Sequence, residues 1–207
     1  MKSSSVLWKM AISIVLTLIL GSINSYAQVP GRVERKGAGS LLRLHQLTGT
    51  GGRAVMKSPD IARGSTRRGD SREWAEIGVQ FDTEPEWIDE LTLNFFVLLR
   101  SSDKADLTLI KGSVTYLDVA RGASHMGGAY VRPAALARYG KVIGVAVEAV
   151  VKGETVDTLS EGKLAPSKPL PKEWWKNAKL VPKDGYVLDK AKTPFILVNY
   201  DDYEAVK

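Results

Sequence analysis

Glu73-Trp74-Ala75-Glu76-Ile77-Gly78-Val79-Gln80-Phe81-Asp82 is the stretch whose reading decides the fold. Ala75, Ile77, Val79 and Phe81 share one face with Glu73, while Trp74, Glu76, Gly78, Gln80 and Asp82 share the other. Alternation sustained over the whole stretch predicts a half-buried strand, because successive side chains of a strand point to opposite faces. The cluster Glu84-Pro85-Glu86 is expected to break it, since proline has no N–H for a ladder. Beyond the break, Leu91, Leu93, Phe95, Val97 and Leu99 alternate with Thr92, Asn94, Phe96, Leu98 and Arg100. Both faces are fairly apolar, which predicts a central strand.

The same pattern continues outward. Residues 106–119 read as a long strand, kinked or bulged at Gly112, and Arg121-Gly122 turns the chain into a strand over 124–131. Pro133 and Gly140 bracket a short helix that crosses the end of a sheet. Residues 141–151 form a β-branched run, and Lys152-Gly153-Glu154 turns it into a hairpin with 155–159. Residues 162–183, with four prolines and the pair Trp174-Trp175 in a short helix, are expected to cross the surface before Asp184-Gly185 leads into 186–188. The tail is read as a strand over 193–198 and a helical turn over 199–207, and Leu41 to Leu47 as an edge strand ahead of a long flexible loop, 49–70. About six strands joined by tight turns, without long interleaved helices, predict an all-β antiparallel sandwich with short connecting helices.

The 207 residues are 44% apolar and 25% charged, with no cysteine, so wholesale disorder, a collagen-like chain and a disulfide or zinc-thiolate framework are excluded. Lys2 and Lys9 precede or flank the uncharged apolar run 10–20, which is the length of a signal-peptide core and not of a membrane span. Small residues at Ser25 and Ala27 predict cleavage after Ala27, giving three parts: a signal peptide over 1–27, a basic Gly-rich arm over 28–72, and a sandwich domain over 73–207. The expected location is the periplasm, the cell surface or the medium, with no membrane span after the leader is removed.

The formal charge of +6 is unevenly placed. Removing the leader leaves 27 basic and 23 acidic residues, of which the arm holds ten basic and three acidic, so the arm carries +7 and the rest −3. The arm lacks interleaved aromatics, and in an exported chain it reads as a solvated or envelope-facing segment, not a nucleic-acid site.

Motifs for catalysis are sparse. Gly49-Thr50-Gly51-Gly52-Arg53-Ala54 fits a dinucleotide fingerprint only superficially, because Pro59 and further Gly and Arg replace the required helix, and no cofactor is expected. His45 and His125 are the two histidines, and neither has a spaced partner for a metal, so His125 reads as a strand-end side chain. The acid pairs Asp89-Glu90 and Asp201-Asp202 read as solvated turn charges. No catalytic and no metal residues are assigned, and the chain is expected not to be an enzyme. Interaction candidates are Trp87, Trp174, Trp175, Tyr200 and Tyr203, since flat aromatic faces stack on sugars and anchor protein interfaces. For Trp174 and Trp175 the competing reading is satellite core under a long loop. Arg68-Gly69-Asp70 is an integrin-type tripeptide of a kind that arises by chance in an Arg- and Gly-rich chain.

Taken in order, Arg72-Glu73-Trp74-Ala75-Glu76-Ile77, the strand 91–99, Tyr130-Val131-Arg132-Pro133 through Arg138-Tyr139-Gly140, Trp174-Trp175, and Thr193-Pro194-Phe195 before Asp202-Tyr203-Glu204 resemble the pilus-like protein family of type IV pilus-type gene clusters in Verrucomicrobia. The resemblance implies an immunoglobulin-like β-sandwich, exported and without known catalysis. The leader departs from a pilin's, in which cleavage precedes the apolar helix and an acid lies just inside it, because no acid occurs before Glu34. The expected function is therefore a pilus-like or pilus-associated role in surface assembly or adhesion, with envelope or pilus-assembly proteins, a host surface or a glycan as partners. The alternative is an exported glycan-binding module with Trp174 and Trp175 as stacking platforms.

Overall fold

The computed structural model describes residues 41–49, 55–59, 72–101 and 106–198. The expected leader and its cleavage site, Arg68-Gly69-Asp70, Tyr200, Tyr203 and Asp201-Asp202 lie outside the described residues. No described helix is long and apolar enough to cross a membrane.

The fold is all-β and antiparallel. Its strands among the described residues are β1 (Leu42–Thr48), β2 (Val55–Lys57), β3 (Glu73–Arg100), β4 (Leu107–Val131), β5 (Lys141–Val151), β6 (Glu154–Ala165), β7 (Lys168–Pro169) and β8 (Val187–Leu188), with one described α-helix, α1 (Pro133–Tyr139). Hydrogen-bonded neighbours run β7-β6-β5-β3-β4-β8, and β1 and β2 also pair with β3.

The interruption expected at Glu84-Pro85-Glu86 does not end a strand. β3 continues through it for 28 residues, and β4 runs alongside for 25, with register irregularities between Phe81 and Thr83 and between Thr83 and Trp87. Ladder bonds are lost only locally, because Ala120 opposite Trp87 and Gly122 opposite Thr83 resume the pairing on either side of the proline. These bulges let the long β3–β4 ribbon fold across itself. The Gly128 amide donates to the Tyr116 hydroxyl at 2.8 Å, joining the two halves of β4. A Cβ on Gly127 would lie 2.7 Å from Leu93 Cδ1, so the halves of the ribbon meet in van der Waals contact. The two layers of the sandwich are thus two halves of one bent sheet.

Alternation places Ile77, Val79 and Phe81 from one half and Leu91, Leu93 and Phe95 from the other in a single buried core. Each fully buried side chain of this size contributes about 2 kcal/mol of transfer free energy. β1 adds Leu42, Leu44 and Leu47 to that core, so the edge strand read in the arm is an integral part of the sheet. Its outer edge meets β6, where Asp157 accepts the Leu44 amide at 2.8 Å.

Three further expectations are corrected. β2 pairs with Glu73–Ala75 inside the segment read as a loop; a three-residue strand is too short to show a period. Gly112 is neither bulged nor kinked; it pairs regularly with Phe95, and its missing Cβ leaves room for the Val187 carbonyl, which a Cβ would approach to 2.5 Å. Residues 193–198 form turns, not a strand, because Phe195 inserts between Tyr130, stacked at 5.1 Å, and Trp74, edge-on at 5.7 Å.

The remaining connections follow their sequence signals. α1 begins at Pro133 and stops at Gly140, whose φ of 90° suits glycine. Lys152 and Gly153, with φ of 52° and 81°, join β5 to β6 as a two-residue hairpin with both residues left-handed, the conformation that matches strand twist.

Candidate functional site

The fold-back gives the sandwich two distinct ends. At one lies the bend of β3 with the β5–β6 turn and the start of β1; at the other lie α1, both outer termini of the β3–β4 ribbon and β8.

The bend is tied down by polar contacts. Buried Thr83 donates its hydroxyl to the Ala120 carbonyl at 2.7 Å and accepts the Gly122 amide at 3.0 Å, while His125 Nε2 lies 3.2 Å from the same oxygen. The Arg121 side chain donates to the Glu84 carbonyl at 2.6 Å, and the Glu84 amide donates to the Leu41 carbonyl at 3.1 Å. These bonds satisfy backbone groups that the proline and the bulges leave out of the ladder.

Both histidines of the chain converge here, which sequence spacing did not show. His45 occupies a bulge in β1 and its Nε2 lies 2.5 Å from an Asp82 carboxylate oxygen. His125 stacks on Phe81 at 5.2 Å. The Asp82 carboxyl is held below its ordinary value of 3.8 chiefly by the Ser124 N–H at 2.8 Å, against the opposing effect of burial and with further help from His45. Ser124 adopts a left-handed φ of 64° to deliver that N–H. Among the described residues no three His, Cys, Asp or Glu side chains are grouped to hold a metal. The cluster braces the bend.

Trp87 emerges just beyond it. Its side chain is 58% exposed, next to Ile88, which is buried in the core. The indole borders a groove of about 570 Å³ whose apolar wall also includes Leu41 and Pro85, and whose floor and far rim come from β5 and the Lys152-Gly153 turn. Asp89 and Glu90, both exposed between the buried Ile88 and Leu91, lie along the groove. An exposed indole with carboxylates beside it suits a partner that brings an apolar contact and a cation.

Trp174 and Trp175 are placed differently. They sit in a 3-10 turn, Trp174–Lys176, at 5% and 6% exposure, packed over Leu98, Leu109 and Ala146 on the outer face of the sheet. Trp175 donates its N–H to Glu148 at 2.8 Å, and the two indoles meet edge to face at 5.8 Å. Neither presents a free ring face, so the satellite-core reading describes this pair and the stacking-platform alternative does not. A second groove, about 580 Å³, runs beside Trp174 and contains Glu161, whose carboxyl is raised by burial. Of the five aromatic candidates, Trp87 is the one among the described residues that offers an open face.

Fold and site together define an all-β antiparallel protein of sandwich type with an aromatic groove at its bend end. A protein-family model matches residues 52–207, three quarters of the chain, and the chain belongs to that family. The fold is similar to that of a crystal structure from Akkermansia muciniphila, with a TM-score of 0.64 and 22% identity, covering 80% of this chain and 92% of that one. At that identity the likeness shows the fold alone. No curated protein matches the chain.

Proposed function

We propose that this chain is an exported, non-enzymatic pilus-like or pilus-associated protein of the cell envelope, and that the Trp87 groove is where it docks on protein partners. The observation that carries the reading is Trp87 itself: an indole with an open face, on a bend that Thr83 and Arg121 tie down through the Ala120 and Glu84 carbonyls. Rigid aromatic anchors in partly apolar grooves carry a large share of protein-binding energy at little entropic cost. The antiparallel sandwich and the likeness to an Akkermansia fold agree with the resemblance to the pilus-like family. The predicted leader supplies the route out of the cytoplasm.

A glycan is the second reading, and it moves from Trp174 and Trp175 to Trp87, where an indole face and the carboxylates of Asp89 and Glu90 lie along one groove. The apolar wall of Leu41 and Pro85 favours protein. Fractionation of the native cell with an antibody against the chain tests the envelope role: recovery from the envelope or medium agrees with it, and recovery from the soluble cytoplasm contradicts it.

A further inference from the structure

We infer that copies of this chain associate head to tail, the Trp87 end of one docking on the α1 end of the next. This rests on the docking role given to Trp87 and names a second copy as its partner.

Charge and exposed apolar surface are both sorted by end. Among the described residues, the bend end carries Asp82, Glu84, Glu86, Asp89, Glu90, Asp118 and Glu154 against Arg43, Arg121 and Lys152. The opposite end carries Lys57, Arg72, Arg100, Arg132, Arg138, Lys141 and Lys183 against Glu73, Asp106 and Asp184. There Lys183 Nζ lies 4.6 Å and Arg138 Cζ 5.2 Å from the Tyr139 ring centroid, which holds the two cations together at the mouth of α1.

Five of the six exposed large apolar side chains among the described residues follow the same division, the sixth being Val181 in the connection before β8. Leu41 and Trp87 are at the bend end, whereas Val55, opposite Ala75, and Ile196 and Leu197, next to Phe195 on Trp74, are at the other. Each end therefore pairs an apolar patch with charge of one sign, and the two signs are opposite. Like ends repel and unlike ends attract, which disfavours a two-fold dimer through either end and favours a heterologous contact. Because the ends lie at opposite poles of the strands, such a contact does not close after two copies; it extends. The eleven-residue β5 sets the repeat at about 40 Å.

The test uses the exported chain, its Trp87→Ala/Asp89→Ala variant and its Arg138→Ala/Lys141→Ala variant, compared by sedimentation velocity at about 0.05 M and about 0.5 M salt. Thermal unfolding followed by circular dichroism confirms that each variant is folded, and Lys141→Ala alone replaces the second variant if the double one is not. The wild-type chain is expected to form a concentration-dependent series at low salt that weakens at least about tenfold at high salt. Each variant alone is expected to be monomeric, and their mixture to stop at a one-to-one pair, since each retains the end that the other has lost. A wild-type chain monomeric in both salts overturns the inference, as does a mixture that forms no pair. Trp87-dependent capture of envelope proteins by a chain that stays monomeric would remove the inference and leave the docking role in place.

Discussion

The hydroxyl of Thr83 donates to the carbonyl of Ala120 at 2.7 Å, and Ala120 is the residue opposite Trp87 in the β3–β4 ladder. One buried side chain thereby sets where the indole leaves the sheet. Replacing it with the near-isosteric valine leaves the Ala120 carbonyl and the Gly122 amide without that partner. Thr83→Val is expected to lower stability by about 1–3 kcal/mol in urea denaturation. It is also expected to change the fluorescence of the Trp87 indole, read as the difference between spectra with and without Trp87→Phe. Unchanged stability would show that the hydroxyl does not hold the bend.

Trp87 and Trp175 should separate cleanly. Trp87→Ala removes a solvated side chain and is expected to change stability by less than about 0.5 kcal/mol. Trp175→Ala empties a buried site and removes the N–H donor to Glu148, and is expected to cost about 3–5 kcal/mol. Chemical denaturation of the two variants side by side decides this, and similar losses would contradict the placement of either residue.

Much of the architecture was legible because it is periodic. The alternation in 73–82 and 91–100, the Pro133 to Gly140 bracket and the Lys152-Gly153 turn are local signals that survive into the structure. What could not be read was decided by distant partners. Pro85 breaks a ladder in sequence, but β4 resumes pairing beyond it, so one strand was read as two. The apolar run after Thr193 has strand composition, yet Phe195 gains more from the slot between Trp74 and Tyr130 than from a ladder. Nothing in the spacing of His45, Asp82 and His125 announces their convergence, which depends on a bulge in β1 and a left-handed Ser124. Composition offers Trp87, Trp174 and Trp175 together as candidates; packing distinguishes the open face of Trp87 from the covered faces of Trp174 and Trp175.

Gly112→Ala tests how β8 is held. The added Cβ would meet the Val187 carbonyl, a backbone atom that cannot rotate away, at 2.5 Å. The expected cost is about 1–3 kcal/mol, with faster amide exchange confined to Val187, Leu188 and the segment around Lys183. Wild-type exchange at those amides would mean that the contact is not tight.

Acid should weaken the brace at the bend. The folded-state pKa of Asp82 is depressed, so its contribution is present above the ordinary value of 3.8 and is lost as the pH falls through the folded value. At about pH 5 the wild type is expected to outlast Asp82→Asn in thermal unfolding, and the gap to narrow steadily toward about pH 2. A gap that stays constant across this range would show that the ionised carboxylate is not what stabilises the bend.

The most direct measurement of the docking claim is quantitative capture of proteins from an isolated envelope fraction, with the chain lacking residues 1–27 and its Trp87→Ala variant as parallel baits. Specific envelope proteins are expected on the wild-type bait, with a loss of about tenfold or more on the variant, as for removal of a central aromatic anchor. Equal capture by the two baits would contradict it.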